Sequence, residues 1–356
     1  MGLEMDEAFY QDPEHRPKPT VGEAGEIPLI DLSPLAAESA EAQQALPGLL
    51  DQVEAACRDW GFLQVVNHGV PLELLEGLQL AAREFFALPA EEKAQVRRDA
   101  MNPWGYYEGE HTKNVRDWKE VLDFMVPGEA TVLAAKDQGD RGSEIWRNQW
   151  PECPPQLRDA GQRYGRAVEE LAFKLLELIS LTLGLPAKRL NEFFEGGSPS
   201  TFIRLNYYPP CPAPHLALGV GRHKDAGALT VLAQDDVGGL DVKRRSDGEW
   251  VRVKPIPGSL IINVGDIIQV WSNDKYESAE HRVSVNSERE RFSIPFFFNP
   301  DMSTMIEALE ELVSDGAPRK YEAYNWGMFF KTRKDSNFGK LAAENIQIHH
   351  FKKNTQ

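Results

Sequence analysis

Apolar residues recur at helical spacing in three segments of the first half of the chain. The first apolar face follows Leu49, Val53 and Ala56, and the second lies in the run LELLEGLQLAAREFFAL, which stops at Pro89. The third and longest segment runs from about residue 155 to residue 183. Residues three or four apart share one side of a helix, so each segment predicts an amphipathic α-helix.

Short apolar runs without helical spacing lie before and between these helices. Residues 27–32 (IPLIDL) and 61–70 (GFLQVVNHGV) each predict a strand, the second of them ending in a turn. Ser33 followed by Pro34 is a typical helix start, since serine caps the first turn and proline fits its first position. Residues 100–150 combine aromatic and charged residues without a period, which predicts an irregular segment.

From residue 201 the pattern changes to short β-rich runs separated by turn residues. These runs are TFIRLNYY, GALTVLAQ, GLDVKR, EWVRVKP, SLIINV, DIIQVW, HRVSV and RFSIPFFF. Many short strands at this spacing are typical of an all-β sandwich or barrel. Helical patterning returns after about residue 304, so the chain predicts helices, then a β core, then helices.

This order divides the chain into five parts of a mixed α+β protein. We predict a flexible tail at 1–25, an N-terminal region at 26–150, a long packing helix with its connection at 151–198, a β core at 199–302 and a C-terminal helical region at 303–356. The tail is rich in Pro, Glu and Gly, a composition that buries little apolar surface. A chain of 356 residues is long enough to bury a large core.

The chain carries a strong negative charge. Its 55 acidic and 39 basic residues give a formal net charge of −16, which disfavours nucleic acid and anionic membranes as partners. Three cysteines are too few for a disulfide framework and indicate a reducing compartment. The chain shows neither a membrane-spanning apolar run nor an apolar leader. We therefore expect a protein of the cytoplasm, or also of the nucleus, with no obligate protein partner.

Two histidines and an aspartate in the β-rich half suit a metal ion. His223 and Asp225 precede the run GALTVLAQ, and residues i and i+2 of a strand point to the same face. His281 opens the run HRVSV further along the chain. Two imidazoles and one carboxylate form the facial triad of non-haem iron(II), although the same set also suits zinc. A His-x-Asp pair on its own is more often a surface pair, so the other features matter.

A third feature follows ten residues after His281. Arg291 and Ser293 alternate on one side of the predicted strand RFSIPFFF and would face the same cavity as the histidines. A guanidinium forms a charged fork that pairs with a carboxylate, and a serine hydroxyl adds a donor. An inward arginine needs an anion, whereas an arginine at an exposed strand edge does not. We therefore predict an anion-binding site beside the metal.

Together these residues resemble a known family. His223-x-Asp225, His281 and Arg291-x-Ser293 match, in order and spacing, the motifs of plant 2-oxoglutarate and iron(II)-dependent dioxygenases such as flavonol synthase, anthocyanidin synthase and gibberellin oxidases. The segments NYYPPCP, GFLQVVNHGV, DDVGGLDV and WSNDKY resemble further segments of that family, so the likeness covers the whole chain apart from its ends. It implies a double-stranded β-helix, or jelly roll, flanked by N- and C-terminal helices.

The resemblance also implies a reaction. Iron(II) would be bound by the two histidines and the aspartate of the 199–302 core, and the distal carboxylate of 2-oxoglutarate by Arg291 and Ser293. Tyr208 would add a hydroxyl contact, and Asn206 would help to position that end of the site. With O2 as the oxidant and ascorbate keeping the iron reduced, the expected reaction hydroxylates a small molecule and releases succinate and CO2.

A substrate pocket is expected beside the iron. Phe297 resembles a position that stacks on substrate in relatives, and Arg204 would meet a polar group of the substrate unless it forms an internal ion pair. Trp104, Tyr106 and Tyr107 belong to an irregular segment that would form a lid. An aromatic pocket favours a flat or apolar plant metabolite or hormone. The candidates are a flavonoid or other phenolic, an indole such as auxin or melatonin, and a gibberellin-like terpenoid.

Three alternatives share these residues. Iron oxidases of the same fold that do not consume 2-oxoglutarate, such as aminocyclopropane-carboxylate oxidase, resemble the chain around the triad, and succinate release would distinguish them. A non-catalytic small-molecule binding protein on this scaffold would be expected to lack a metal ligand, and none is missing here. A zinc protein would be recognised by loading the chain with each metal in turn.

Overall fold

The computed structural model describes residues 5–17, 22–23, 27–35, 39–99, 101–126, 129–133, 143–196, 200–335 and 345–353. Within them lie six α-helices: α1 Ala40–Asp59, α2 Leu72–Phe86, α3 Ala90–Ala94, α4 Leu157–Thr182, α5 Asp266–Trp271 and α6 Trp326–Asp335. The three long helices that apolar spacing predicts are therefore confirmed as α1, α2 and α4. None of the helices in the described residues is both long and apolar enough to cross a membrane.

The strands are also numbered in chain order. In the first half they are β1 Gly22–Glu23, β2 Leu29–Asp31, β3 Phe62–Val66, β4 Gly105–Tyr107, β5 His111–Thr112, β6 Val115–Arg116, β7 Glu120–Met125, β8 Glu129–Leu133 and β9 Ser143–Arg147. In the second half they are β10 Phe202–Tyr208, β11 Leu218–His223, β12 Leu229–Gln234, β13 Leu240–Lys243, β14 Trp250–Arg252, β15 Leu260–Val264, β16 His281–Ser284, β17 Arg291–Phe298, β18 Met305–Ile306 and β19 Tyr324–Asn325.

Two sheets form the β core. The larger has eight strands in the order β2-β3-β15-β12-β17-β10-β7-β4, and the smaller has five in the order β1-β14-β13-β16-β11. Their inner faces meet in one apolar cluster, in which Tyr208 and Ile261 of the large sheet join Val242 and Val283 of the small one. Burying each such side chain contributes about 1.5–3 kcal/mol. The predicted β core flanked by helices is confirmed.

The outer face of the large sheet packs on α4. Leu171 and Leu175 of this helix belong to the same apolar cluster as Phe296 and Phe298 of β17. Since side chains alternate along a strand, the remaining residues of β17 point to the space between the two sheets. Helix α4 also packs against α1 and α2, so it connects the N-terminal helices to the β core.

The pairing of β10 with β17 defines rows of inward side chains. Tyr208 pairs with Arg291 and Asn206 with Ser293 at one end, whereas Phe202 pairs with Phe297 at the other. Strand β12 continues these rows, because its Gln234 pairs with Ser293 and its Thr230 with Phe297. Each inward residue therefore has a fixed position along the strand direction.

Several local predictions are wrong. Ser33 and Pro34 form a short 3-10 turn, and α1 begins after Ser39, whose Oγ accepts a hydrogen bond from the backbone N–H of Ala42. The run DIIQVW is helix α5, with all its residues buried, because a short apolar run does not distinguish a buried helix from a strand. Strand β11 escapes prediction since it contains two glycines. A Cβ on its Gly219 would lie 2.6 Å from the Tyr208 ring.

Residues 100–150 are more regular than predicted. Their strands β4 and β7 extend the large sheet, and β5 and β6 form a separate two-stranded sheet. Beyond residue 302 the described part of the chain contains one α-helix, α6, together with the β18–β19 pair and 3-10 turns, so it is less helical than its pattern indicates.

The prediction of a flexible tail is wrong for residues 5–17, which pack against the folded core. The Phe9 ring meets the edge of Trp118 at a centroid distance of 4.8 Å. The Gln11 backbone N–H donates to the Leu216 carbonyl at 2.8 Å. Met5 is buried against Cys211. These few apolar side chains find partners even though the segment is polar on average.

Candidate metal centre and substrate cavity

Three side chains converge at one end of the small sheet. His223 is the last residue of β11, His281 is the first residue of β16, and the two face each other as a cross-strand pair. Asp225 lies in the loop just after β11. Its Oδ1 is 3.6 Å from Nε2 of each histidine. His223 and Asp225 thus converge as predicted, but a loop and not strand alternation brings them together.

Backbone carbonyls orient both histidine rings. Nδ1 of His223 lies 2.8 Å from the Gly221 carbonyl oxygen, and Nδ1 of His281 lies 3.1 Å from that of Ala279. A carbonyl only accepts, so Nδ1 carries the proton and donates in each ring. The Nε2 lone pairs are then available for a metal ion.

Hydrogen bonds also hold the aspartate. Oδ2 of Asp225 accepts from Thr230 Oγ1 at 2.6 Å and from Asn263 Nδ2 at 2.8 Å. Both donors come from neighbouring strands of the large sheet, so the carboxylate is fixed between the two sheets. Its Oδ1 remains on the side of the histidines.

Electrostatics keep the imidazole of His223 neutral. Burial and the adjacent His281 lower the pKa of His223 to about 3. Burial alone would raise the pKa of Asp225, but the two histidines and the hydrogen bonds from Thr230 and Asn263 lower it. A carboxylate beside two Nε2 atoms is the donor set of a facial metal site, and the potential ligand atoms all lie within 4.8 Å of one another. The residues present therefore fit an iron(II) ion.

Arg291 is buried with unused donors. It is 2% exposed, and its Nη2 donates to Gln234 Oε1 at 3.1 Å, while Nε and Nη1 have no hydrogen-bond partner among the described residues. The guanidinium lies 4.9 Å from the centroid of the Tyr208 ring. Nearby, Asn206 Nδ2 donates to Ser293 Oγ at 3.3 Å. A buried cation with two nitrogens that lack partners among the described residues fits a carboxylate ligand.

A cavity of about 680 Å³ opens beside His223 and Asp225. His223, Asp225, Phe297 and Arg204 all contribute to its lining. Its aromatic residues are Phe202, Phe297, Trp326 and Phe330. Its cationic residues are Lys113, Lys119, Arg204, Arg222, Lys224, Arg333 and Lys334. The cavity is therefore more polar than the aromatic pocket that the sequence predicts.

Three residues predicted for the pocket do not line this cavity. Trp104 is fully buried and packs between Trp146 and Phe202. Tyr106 is buried in β4, where strand alternation turns its hydroxyl to Glu120 Oε2 at 2.8 Å. Tyr107 holds its ring against Arg98, at 4.8 Å. Further along the same segment, the β5–β6 hairpin does reach the cavity, through residues 111–114.

Arg204 forms the internal ion pairs that the sequence leaves open as an alternative. Its Nε donates to Asp123 Oδ1 at 2.7 Å, and its two Nη groups donate to Glu110 at 2.8 Å. Lys334 and Lys119 line the same wall. Sequence patterns miss Glu110, Asp123 and Lys334, because a charged residue in a β-rich or helical run is normally a solvated one. Only their contacts reveal their position.

Two family models match the chain. Residues 199–300 match the 2OG-Fe(II) oxygenase superfamily, and residues 27–153 match the N-terminal region described as non-haem dioxygenase in morphine synthesis. The first match contains His223, Asp225, His281 and Arg291.

Curated relatives and solved structures agree with these matches. Jasmonate-induced oxygenase 1 of Arabidopsis thaliana is 36% identical over 89% of this chain and 76% of its own length. Flavonol synthase 1 of Crocosmia x crocosmiiflora is 35% identical over 90% of this chain and 87% of its own length. A crystal structure of JOX2 in complex with 2OG, Fe and JA superposes with a TM-score of 0.75 at 34% identity, covering 92% of this chain and 88% of that one. The chain thus has the jelly-roll fold and belongs to the 2OG-Fe(II) oxygenase superfamily, as a 2-oxoglutarate- and iron(II)-dependent dioxygenase.

Proposed function

We propose that His223, Asp225 and His281 bind the iron(II) ion, that Arg291 anchors 2-oxoglutarate, and that the enzyme hydroxylates a small metabolite in the adjacent cavity. The observation that carries this proposal is the buried guanidinium of Arg291, which has two nitrogens without a partner among the described residues and lies over Tyr208 between the two sheets. A buried guanidinium requires an anion, whereas the three proposed iron ligands by themselves would not indicate that an anion binds nearby.

The protein orients the three metal-ligating groups before the metal binds. The Gly221 and Ala279 carbonyls fix the histidine tautomers, so that both Nε2 atoms face the same point. Thr230 holds the Asp225 carboxylate in place, which reduces the reorganisation needed when the metal binds. When bound, iron(II) supplies O2 activation coupled to decarboxylation of 2-oxoglutarate, with succinate and CO2 as products.

The other end of the site suits the distal carboxylate of 2-oxoglutarate. We assign this carboxylate to the Arg291 fork and the Ser293 hydroxyl, with the Tyr208 hydroxyl as a further contact. Asn206, which donates to Ser293 Oγ, orients that hydroxyl. The buried position of Arg291 strengthens its pairing with an anion, because little water competes there.

The substrate would occupy the cavity next to Phe297. This ring stacks on Phe202 at a centroid distance of 4.6 Å, and both line the cavity. A plant metabolite with a ring or an apolar body fits this wall, as flavonoids, other phenolics, indoles and gibberellin-like molecules do. The names of the relatives, which include jasmonate-induced oxygenases and a flavonol synthase, support this range. Arg204 shapes the cavity wall through its ion pairs.

We propose a reducing compartment, the cytoplasm or the nucleus. Cys57, Cys153 and Cys211 are all free thiols. The net charge of −16 supports a small-molecule partner in preference to nucleic acid.

The test is a spectroscopic titration without oxygen. Protein loaded with iron(II) is titrated with 2-oxoglutarate, and the expected result is a weak, saturable charge-transfer absorption that requires both components. Oxygen is then admitted with candidate substrates, and succinate is measured. Protein that binds one iron per chain but shows neither the absorption nor succinate release would overturn the assignment of Arg291.

A further inference from the structure

A cluster of buried charges forms one wall of the cavity. Its cations are Arg98, Lys119, Arg204 and Lys334, and its carboxylates are Glu110, Asp117 and Asp123. All except Arg204, whose side chain is 12% exposed, count among the buried residues. Lys119, Arg204, Lys334 and Glu110 reach the cavity surface.

Each carboxylate of this cluster already meets at least one cation. Asp123 accepts from Arg98 at 2.8 Å, from Arg204 at 2.7 Å and from Lys334 at 2.9 Å. Glu110 accepts from Arg204 and lies 2.8 Å from Lys119 Nζ, which is also 3.4 Å from Asp117. The carboxylates are therefore shared between cations.

The cations that reach the cavity share their counter-charges. Asp123 is divided among Arg98, Arg204 and Lys334, so it supplies Lys334 with only part of a counter-charge. Burial raises the pKa of Asp117, which opposes its ionisation and adds no negative charge to the cluster. An uncompensated charge is costly in a buried site, so an anion on the cavity side would stabilise the cluster.

Lys334 is the member best placed to meet such an anion. An ammonium has three N–H donors, and among the described residues Asp123 is the one hydrogen-bond acceptor found for it. The rest of its surroundings include aromatic faces, with Nζ 4.3 Å from the Trp104 ring centroid and 4.4 Å from that of Phe202. Burial lowers the pKa of Lys334 to about 8, as expected for a cation with too few partners.

The anion of this cation is not 2-oxoglutarate. Lys334 packs over Phe202, whereas Arg291 pairs with Tyr208 towards the other end of β10. In the proposed function 2-oxoglutarate gives one carboxylate to Arg291 and the other, with its keto group, to the metal, so it has none left for Lys334. A second anion is required.

Two of the proposed metal ligands, His223 and Asp225, line the same cavity as Lys334. Thr230, which holds Asp225, pairs with Phe297, and Phe297 pairs with Phe202. A substrate held at Lys334 would therefore lie beside the metal centre, with its body against these phenylalanine rings.

We propose that Lys334 binds a carboxylate of the primary substrate, which makes the substrate a small organic acid with an apolar or aromatic body. The proposal rests on the proposed function, since it concerns the same cavity. Lys334 is then a specificity-determining residue, and a neutral analogue of the substrate leaves the buried ammonium without its counter-ion.

The test compares acids with their primary amides. Benzoate, phenylacetate and cinnamate, each against its amide, are titrated calorimetrically into the iron(II) and 2-oxoglutarate complex without oxygen. At least one acid is expected to bind, roughly 10- to 100-fold more tightly than its amide. Binding of the amides as tightly as the acids, or of none of the acids, would overturn the proposal.

Two variants assign the preference to Lys334. Lys334→Met should bring the ratio of acid affinity to amide affinity close to one. Lys334→Arg keeps the charge and should retain the preference for the acid, which guards against a merely structural effect. Lys331→Met removes a lysine from the same helix outside the cavity lining and should leave the ratio unchanged. Retention of the preference in Lys334→Met would assign the acid to another cation.

The outcome separates this proposal from the proposed function. If the charge-transfer absorption of iron(II) with 2-oxoglutarate does not appear, the result counts against the assignment of Arg291. The acid preference is also measured on metal-free protein, where it does not require that absorption. Normal absorption with no acid preference would overturn the Lys334 proposal alone.

Discussion

His223 and His281 face each other across β11 and β16 with their ring centroids 4.2 Å apart, and each donates its Nδ1 proton to the carbonyl two residues before it. The same backbone geometry on two strands therefore selects the same tautomer twice. The backbone orients both histidine rings without help from another side chain, so both Nε2 atoms face the same point before a metal binds.

Loss of one of these rings should remove the metal. His281→Gln is expected to weaken iron(II) binding by at least about 100-fold, more than the usual effect of losing a residue that only supports a ligand. Metal analysis after anaerobic loading and gel filtration measures the iron bound per chain. His215→Gln, which changes an exposed histidine, should retain iron as wild type does. Equal iron content in the two variants would contradict the ligand assignment.

The Thr230 hydroxyl should matter without touching the metal. Thr230→Val keeps the shape of the side chain but removes the donor to Asp225 Oδ2. We expect iron affinity to fall about 10- to 100-fold, because the carboxylate loses part of its support. Competition with a chromogenic chelator measures the affinity. Thr332→Val, on an exposed face of α6, is the control, and an unchanged affinity in Thr230→Val would show that Asn263 holds the carboxylate unaided.

Arg291→Met should mainly raise the 2-oxoglutarate requirement. Losing a charge-assisted contact of roughly 2–4 kcal/mol lowers the affinity for 2-oxoglutarate about 30- to 1000-fold. The midpoint of the absorption titration gives the value, and iron content should stay at the wild-type level. Arg289→Met removes an exposed arginine paired with Asp236 and should leave the midpoint unchanged. Normal 2-oxoglutarate affinity in Arg291→Met would exclude this arginine as the anchor.

Asp123 should be important for stability. It is fully buried and accepts hydrogen bonds from Arg98, Arg204 and Lys334. Asp123→Asn leaves these cations without their shared counter-charge, and we expect the free energy of unfolding to fall by about 3–5 kcal/mol. Chemical denaturation measures the change. Asp159→Asn, in an exposed pair with Arg163, should change it by less than about 0.5 kcal/mol.

Acid binding at Lys334 should weaken in alkaline solution. With the pKa of Lys334 lowered from 10.5 to about 8, the ammonium is present at pH 7 and largely lost at pH 9. The affinity for the acid should therefore fall about 10-fold between these pH values. In Lys334→Arg, which stays charged, it should hardly change. A wild-type profile as flat as that of the arginine variant would argue against binding by the ammonium.

The effect of the same group on stability has the opposite sign. Between pH 8 and 10.5 the unfolded chain binds the Lys334 proton and the folded chain does not, so the contribution of this group to stability rises with pH in that window. Denaturation of ligand-free wild type and Lys334→Met from pH 7 to 10 measures this contribution. A difference between them that does not change with pH would mean that the pKa of Lys334 is not lowered.

The sequence predicts the fold from local patterns, and it predicts the grouping of His223, Asp225 and His281 from their resemblance to family motifs. Alternation along RFSIPFFF is enough to put Arg291, Ser293 and Phe297 on one side of a strand, and helical spacing reveals α4. Patterns fail where a contact is made between distant segments. Trp104 and Tyr106 are aromatic residues close in sequence to the cavity-lining residues 111–114, yet their rings fill the core behind the cavity wall.

The charged wall could not be predicted for the same reason. Asp123 and Lys334 are 211 positions apart, and neither belongs to a recognisable motif. In the sequence each resembles an ordinary surface residue, and only the fold, which brings α6 to β7, places the two in contact. The N-terminal segment has the same character, since a handful of apolar residues in a polar stretch gives no periodic signal.

The docking of that segment has a practical consequence for anyone who shortens the protein. The sulfur of Met5 lies 3.8 Å from that of Cys211, which has no solvent exposure in the folded chain. The match to the N-terminal family model begins at residue 27, a natural place to start a shortened version. Such a version would lose Met5 and its neighbours and bring the Cys211 thiol to the surface. The shortened version would then carry a second accessible thiol beside the already exposed Cys153, and it would be more open to oxidation and to covalent dimers than the longer chain.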